Sequence, residues 1–389
     1  MTRFPPPVRP CRIPACLMRG GTSKGLFFLE QDLPDDPDLR DRLLIRAVGS
    51  PDPYRQHMDG LGGATSSTSK VVLVGPSTHP GCDVNYRFGA VAVDRAVIDW
   101  SGNCGNLSAA VAPFALHRGL VRVPRDGVAV VRIWQADIRK VIVAHIPVAD
   151  GAVVEDGDFQ LDGVAFPGAE IRLDFLDPAG DGEALFPTGH RRDTLSVAGL
   201  GNVDATLINA GNPTVFVHAD TLGLTGTELQ RDVNGQLKLL ARAEALRAAA
   251  AVAMGLALTA DEATRNRPHT PKLAYVAAPA PYVASDGRQI VAGEVDLLVR
   301  IFSMGPLHHA MTGTGAVAIA VAAAIPGTLV HEVARVNAGG RVCFGHPSGT
   351  LTAGADAQID AAGNWVIRQV SMSRSARRLM DGQVFIPAV

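Results

Sequence analysis

Three short stretches bring together the residue types that proton-transfer chemistry needs. "CLMRGGTSKG" (16–25) sets Arg19 beside Gly20, Gly21, Thr22, Ser23 and Lys24. Glycines let a ligand approach the backbone, and successive N–H groups in such a turn form a nest for an anion, so the loop suits a carboxylate. A phosphate-binding P-loop is excluded by the order of residues, since no Ser or Thr follows the lysine. A plain Gly-rich turn between strands is the competing reading.

"DGLGGATSSTSKVVLV" (59–74) is a second loop of glycines and hydroxyls, ending in Ser69 and Lys70 as a strand begins. A lysine placed there sits on a rigid element with its amine toward the loop. Free lysine titrates at about 10.4, so it serves as a base near neutrality only where burial or a neighbouring cation lowers that value. Composition favours a role beyond an exposed surface lysine. Of 36 basic residues only Lys24, Lys70, Lys140, Lys238 and Lys272 are lysines, and lysine does what arginine does not, which is lose its proton.

The third stretch, "SGNCGNLSAAVAPFALHRG" (101–119), places Cys104 between two Gly-Asn pairs where an apolar helix begins. Unpaired N–H groups and the helix dipole favour negative charge at such a start and can lower a thiol's pKa. The same region, with Gly105 and Asn106, suits a substrate carboxylate and the charge that grows on it when a neighbouring C–H is deprotonated. Packing as a small hydrophobe is the alternative for the cysteine.

These residues need a scaffold. Leu107, Ala110, Val111, Phe114 and Ala115 recur at helical spacing, with Ala109 and Ala112 on the other face, which predicts a helix over about 105–118 buried nearly all round. Runs such as "KVVLVG", "VNYRFGAVAVD", "VAVVRIW" and "KVIVAHIPV", punctuated by Gly, Pro and Asp, predict a mostly antiparallel sheet around it. The second half repeats the plan: "ATLINAGNPTVFVHA" and "GEVDLLVRIFSM" as strands, then "HHAMTGTGAVAIAVAAAIPGT" as a second Ala/Val-rich helix. Aligning the two helix starts puts Cys104 opposite Thr312. Residues 229–256 predict a surface helix, and the Gly/Asp/Pro-rich 176–193 a linker. "FGHPSGT" (344–350) reads as a turn near the ligand. In "SMSRSARRLM", Arg374 and Arg377 stand at helical spacing, as solvated arginines or as part of a tail returning to the first domain.

The totals agree with an enzyme acting on a small molecule. At 389 residues, nearly half apolar and with a formal charge of −2, two domains are expected, with no broad attraction to nucleic acid or to an anionic membrane. Five cysteines without a C-x-x-C pair argue against a disulfide framework or a cysteine zinc site and fit a reducing cytoplasm. His308 and His309 are adjacent, not spaced as metal ligands, so no metal is expected. "MTRFPPPVRPCRIPACLM" lacks the apolar core of a signal peptide, and the longest apolar run stops at Pro326, short of a membrane span.

"MRGGTSKG", "MDGLGG" ahead of "TSK", "DWSGNCGNLSAAVAPFAL", "SMGPLHHAMTGTGAVAIAVAAAIPGT", "FGHPSGT" and "MSRSARRLM", in this order, resemble the PrpF-type isomerases over nearly the whole chain. The resemblance implies an α+β, diaminopimelate epimerase-like fold: two similar domains, each a curved, mostly antiparallel sheet around a central helix. The domains would be 1–185, joined by the C-terminal segment 371–389, and 186–370. It implies acid–base work by Lys70 and Cys104, and substrate binding by Arg19, Gly20, Gly21, Thr22, Ser23, Ser69, Gly105, Asn106, His309, Thr312, Gly313, Thr314 and Gly315. Diaminopimelate epimerase carries a cysteine ahead of each helix, so Thr312 in the second position argues against symmetrical two-thiol epimerisation of an amino acid. The implied reaction is cofactor-free isomerisation of a small unsaturated polycarboxylate, 2-methylaconitate in the 2-methylcitrate route of propionate breakdown, with 4-oxalomesaconate, aconitate or 3-methylitaconate as alternatives. Homo-oligomers, a functional link to a methylcitrate dehydratase, and a non-catalytic accessory role to such an enzyme are also within what the family suggests.

Overall fold

The computed structural model describes residues 11–179, 183–335, 340–361 and 363–387. Residues 1–10 of the stretch weighed as a leader, 180–182 of the expected linker and 388–389 of the C-terminal segment lie outside the described residues.

The chain builds the same ladder twice. In the first half Cys11–Gly20 pairs antiparallel with Ser23–Leu29, which runs parallel to Lys70–Pro76. That strand pairs antiparallel with Val84–Val91, then come a parallel step to Gly127–Gln135 and antiparallel steps to Lys140–Ala149 and Ile171–Leu176. The second half runs Gly201–Ala210, Asn212–His218, Lys272–Ala277, Leu297–Phe302, Arg341–His346, Gly349–Ile359 and Trp365–Arg374, with the same succession of antiparallel and parallel steps. The repeat that the two helix starts suggest thus extends through seven strands per half. The predicted single strand over "ATLINAGNPTVFVHA" is a hairpin turning at Gly211, whose φ of 73° suits glycine.

Two strands tie the halves together. Trp365–Arg374 pairs with Ile171–Leu176, and after Ser375 the chain enters Ala376–Ile386, which lies antiparallel to Cys11–Gly20. Residues 371–380 therefore span two strands and not a helix. With a period of 2 rather than 3.6, Arg374 and Arg377 have different surroundings: Arg374 is fully buried and Arg377 exposed.

Each half wraps a central helix, Ser108–His117 in the first and Gly313–Ala324 in the second. Every residue from Ser108 to Leu116 and from Gly313 to Ala323 is buried, as expected of helices apolar on all faces. The first helix begins later than its spacing predicts, because residues 104–107 form a turn ahead of it. The 229–256 segment divides into a short turn, Gln230–Val233, and a helix, Leu237–Ala253, that packs Leu239, Ala243, Leu246 and Ala250 on one core. Among the described residues no helix is long and apolar enough to cross a membrane.

Candidate active site

Lys70 opens the Lys70–Pro76 strand, opposite Ala90 on its neighbour. The strand is sandwiched: Val72 and Val74 face the core around the first central helix, while Val71 and Leu73 face Leu43 and Leu44 of the Pro37–Val48 helix. A residue at the end of such a strand has little freedom to move. The Lys70 side chain is buried, its ammonium lies 4.9 Å from the Phe88 ring centroid, and it has no hydrogen-bond partner among the described residues.

Cys104 occupies the turn before the first central helix, also buried. Its Sγ accepts the Leu107 N–H at 3.5 Å and lies 3.8 Å from Ser23 Oγ. Thr312 does the equivalent in the second half, its Oγ1 accepting the Gly315 N–H at 3.1 Å. Thiol and hydroxyl therefore cap corresponding turns, each satisfying an N–H three residues ahead.

The two turns abut. A Cβ on Gly105 would stand 2.7 Å from the Gly313 carbonyl carbon and from Thr314 N, so both glycines are required by close backbone approach. Asn212 stitches the junction, accepting from Asn103 N–H at 2.8 Å and donating to Asn103 O at 2.9 Å and Thr314 Oγ1 at 3.2 Å. On the other side Asn106 Nδ2 donates to Thr22 Oγ1 at 2.9 Å and Met311 O at 3.0 Å, and its Oδ1 accepts from Arg374 Nε at 3.0 Å. Asn106 and Thr314 thus hold the two halves in register. Arg19 is similarly engaged, its Nη1 donating to Ser375 O at 2.9 Å, Ser375 Oγ at 3.2 Å and Gly21 O at 3.2 Å.

A cleft of about 810 Å³ opens beside this junction. Of the residues singled out from the sequence, Arg19, Gly21, Thr22, Ser23 and His309 line it, joined by Lys24, Arg377 and the hydroxyl run Thr65–Thr68. Phe166, Pro167 and Leu379 form apolar wall, and among the described residues no carboxylate lines it. Lys70, Ser69, Cys104, Gly105 and residues 312–315 do not line the cleft; Cys104 adjoins it through Ser23. Gly20 packs against the first helix turn, where a Cβ would meet Asn106 O at 2.7 Å.

Three buried groups near the thiol and Lys70 were given no place in the site by the sequence. Arg374 makes no ion pair with a carboxylate among the described residues; burial pushes its guanidinium down to about 10, while Cys104 acts in the opposite direction. Lys272 is pushed down to about 7, first by burial and then by the charge of Lys70. His269, held well below the ordinary histidine value by burial and then by Lys272, joins Lys272 to the Asn103 carbonyl. His308 and His309 stack at 4.7 Å, both lowered, burial being the main cause. Among the described residues no three His, Cys, Asp or Glu side chains are grouped as metal ligands. The scarcity of lysine was the one available signal for Lys272, and the quoted "MSRSARRLM" for Arg374.

The family described as PrpF protein matches residues 10–387. This chain belongs to the PrpF family. It is 54% identical to the 2-methyl-aconitate isomerase of Shewanella oneidensis, over 99% of this chain and 98% of that one. The crystal structure of a methylitaconate-delta-isomerase superposes with a TM-score of 0.75 at 38% identity, covering 98% of this chain and 97% of the other. A hydroxyproline epimerase from Agrobacterium vitis, 14% identical, shares the fold with a TM-score of 0.57 over 97% and 93% of the two chains. The α+β fold is the diaminopimelate epimerase-like one expected from the motifs, with a central helix in each half.

Proposed function

We propose that this PrpF-family protein is an isomerase of a small unsaturated polycarboxylate, 2-methylaconitate foremost, which moves an allylic proton with Lys70 and Cys104. The observation that carries the reading is the cleft: basic Arg19, Lys24 and Arg377, no carboxylate among the described residues, and a buried thiol 3.8 Å from the cleft-lining Ser23. Such a lining favours a polyanion and excludes a cationic ligand. The 2-methyl-aconitate and methylitaconate activities of the relatives support the substrate class.

The reaction follows from elementary chemistry. Rotation about a C=C bond requires that the bond first lose double-bond character. The Lys70 amine removes an allylic proton, and the electron pair left behind spreads through the conjugated system into a carboxylate. The former double bond then turns. Return of a proton, from Lys70 or from the Cys104 thiol, restores a neutral carbon skeleton. Donors aimed at the growing carboxylate charge contribute most, on the order of 3 kcal/mol for one donor. Of the substrate-binding candidates, Arg19, Gly21, Thr22, Ser23 and His309 line the cleft and are proposed for this task, with the two glycine-rich helix starts behind them. No electrons are gained or lost, so the sequence of steps requires no redox cofactor.

We assign the division into domains as 1–185 with the returning segment 371–389, and 186–370, so that Lys70 and Cys104 belong to one domain and Thr312 to the other. On the same reading the protein works in the cytoplasm in propionate breakdown, beside a methylcitrate dehydratase. Incubating the pure protein with cis- and trans-2-methylaconitate in deuterium oxide, followed by NMR, tests the proposal. Interconversion with deuterium entering the allylic position is expected. Neither isomerisation nor exchange, with substrate still bound, would leave an accessory binding role instead.

A further inference from the structure

Lys272 opens the third strand of the second ladder, as Lys70 opens the third strand of the first. The repeat therefore brings two lysines to the junction, but their surroundings differ. Lys70 has no hydrogen-bond partner among the described residues. Lys272 is closed off: its Nζ lies 3.1 Å from His269 Nδ1 and donates to Ser303 Oγ at 3.0 Å. His269 Nε2 in turn lies 3.3 Å from the carbonyl of Asn103, the residue before Cys104. Asn212 Nδ2, 3.4 Å from the same Nε2, already donates to Asn103 O and Thr314 Oγ1, and the Asn103 carbonyl only accepts, so the imidazole proton is assigned to Nε2 and Nδ1 accepts from the lysine. His269 itself is wedged against Phe88, with ring centroids 5.2 Å apart.

Both hydrogen-bond partners of Lys272 are neutral. An ammonium buried among neutral groups is costly unless opposite charge stands nearby. Five charged or titratable groups face it from the surrounding elements: Lys70 on its strand, Asp99 and Cys104 ahead of the first central helix, Arg247 on the Leu237–Ala253 helix, and His269. Lys70 and Arg247 oppose its charge, while Asp99 and Cys104 favour it. Asp99, the larger influence of the two, is held in place, its carboxylate accepting the Ser101 and His269 N–H groups at 2.8 Å each. Arg247 is paired with Glu244. Of Asp99 and Cys104, the one that the proposed mechanism protonates and deprotonates is Cys104.

We propose that Lys272 is a positioning residue that makes Cys104 more acidic: held by His269 and Ser303 behind the 103–105 turn, its ammonium favours the thiolate and fixes the turn that presents it. The repeat thereby divides one residue type between two tasks. On the proposed mechanism Lys70 takes the reacting proton, and Lys272, held by His269 and Ser303, sets the charge balance of the thiol. The nearly neutral poise of Lys272 fits this role, since thiolate formation draws a proton onto the amine and thiol formation releases it.

The proposal rests on the reading of Cys104 as an acid–base group, and its test is chosen to be separable from that reading. The ultraviolet absorbance of the thiolate is titrated in the full-length protein, with and without Lys272→Met, each against a matched Cys104→Ser control. The midpoint for Cys104 is expected to rise by about one pH unit in Lys272→Met, a tenfold fall in thiolate population on the acid side. An unmoved midpoint in a folded variant would overturn the proposal, whatever happens to turnover. A shifted midpoint with normal turnover would uphold it while removing Cys104 from the chemistry. If Lys272→Met does not fold, Ser303→Ala keeps the lysine and removes one acceptor. A smaller upward shift is then expected, and no shift would overturn the proposal equally.

Discussion

Gly105 and Gly313, 208 positions apart in the chain, meet backbone to backbone at the junction of the two ladders: a Cβ built on Gly313 would lie 2.6 Å from Asn106 N, and one on Gly105 would lie 2.7 Å from Thr314 N. The two helix starts can be this close only because both residues lack side chains. Cys104 and Thr312 immediately precede these glycines, so their contact sets the spacing of everything that acts in the site.

Gly313→Ala should accordingly lower stability by about 1–3 kcal/mol, the usual cost of overpacking a rigid core, or more where backbone cannot yield. Urea denaturation checks the loss. A midpoint equal to the parent protein's would mean that the junction is looser than the contact implies.

Lys70→Arg keeps the charge and the approximate length but removes the capacity to act as a base. Turnover should fall by about 10²–10⁴-fold, the usual range for a lost acid–base group, with an unchanged circular dichroism spectrum. A normal rate would exclude lysine from the proton transfer.

Cys104→Ser retains a cap acceptor for the Leu107 N–H and loses the acidic thiol. Folding should be preserved, while isomerisation should slow by about 10²-fold. Measuring deuterium exchange alongside isomerisation locates the defect. Exchange that persists while isomerisation stops would show that Lys70 both removes and returns the proton without the thiol, whereas loss of both would assign the return to Cys104.

Arg377 is exposed at the cleft, and among the described residues no carboxylate lines the cleft with it. Arg377→Glu should raise KM for a tricarboxylate several-fold while leaving kcat nearly intact, and the difference should shrink as salt is added. A KM that does not respond would move substrate entry elsewhere.

Acid should destabilise the protein well before its carboxylates titrate. Burial holds His269 and His308 well below the usual histidine value and His346 at about 3. The unfolded chain takes up these protons at about 6.5, so the neutral folded forms are fully favoured above that pH and lose ground as pH falls toward the folded values. Each such histidine removes about 1.4 kcal/mol per pH unit in that window. Urea midpoints at pH 7.5, 6.5 and 5.5 should decline with increasing slope, and His346→Gln, if folded, should flatten it.

By itself the sequence determined the local chemistry and the plan of repetition. Apolar residues on every face declared two buried helices, turn-forming glycines marked their starts, and six motifs in order declared the family. Those features are local, written within a few residues of one another, and period and composition suffice to read them. What only tertiary structure decided is which polar groups face each other. Asn106 and Arg374 are 268 positions apart and share a hydrogen bond, so the sequence left open whether Arg374 was solvated or part of a tail returning to the first domain, and only the pairing of Ala376–Ile386 with Cys11–Gly20 decided for the tail. Arg19, legible as an anion-binding residue, spends Nη1 on Ser375 and Gly21. Lys272 looked like any other lysine until the second ladder placed it at the position Lys70 holds in the first. Desolvation and charge coupling depend on distance through space, and a linear order of residues does not specify that distance until the two halves close on each other.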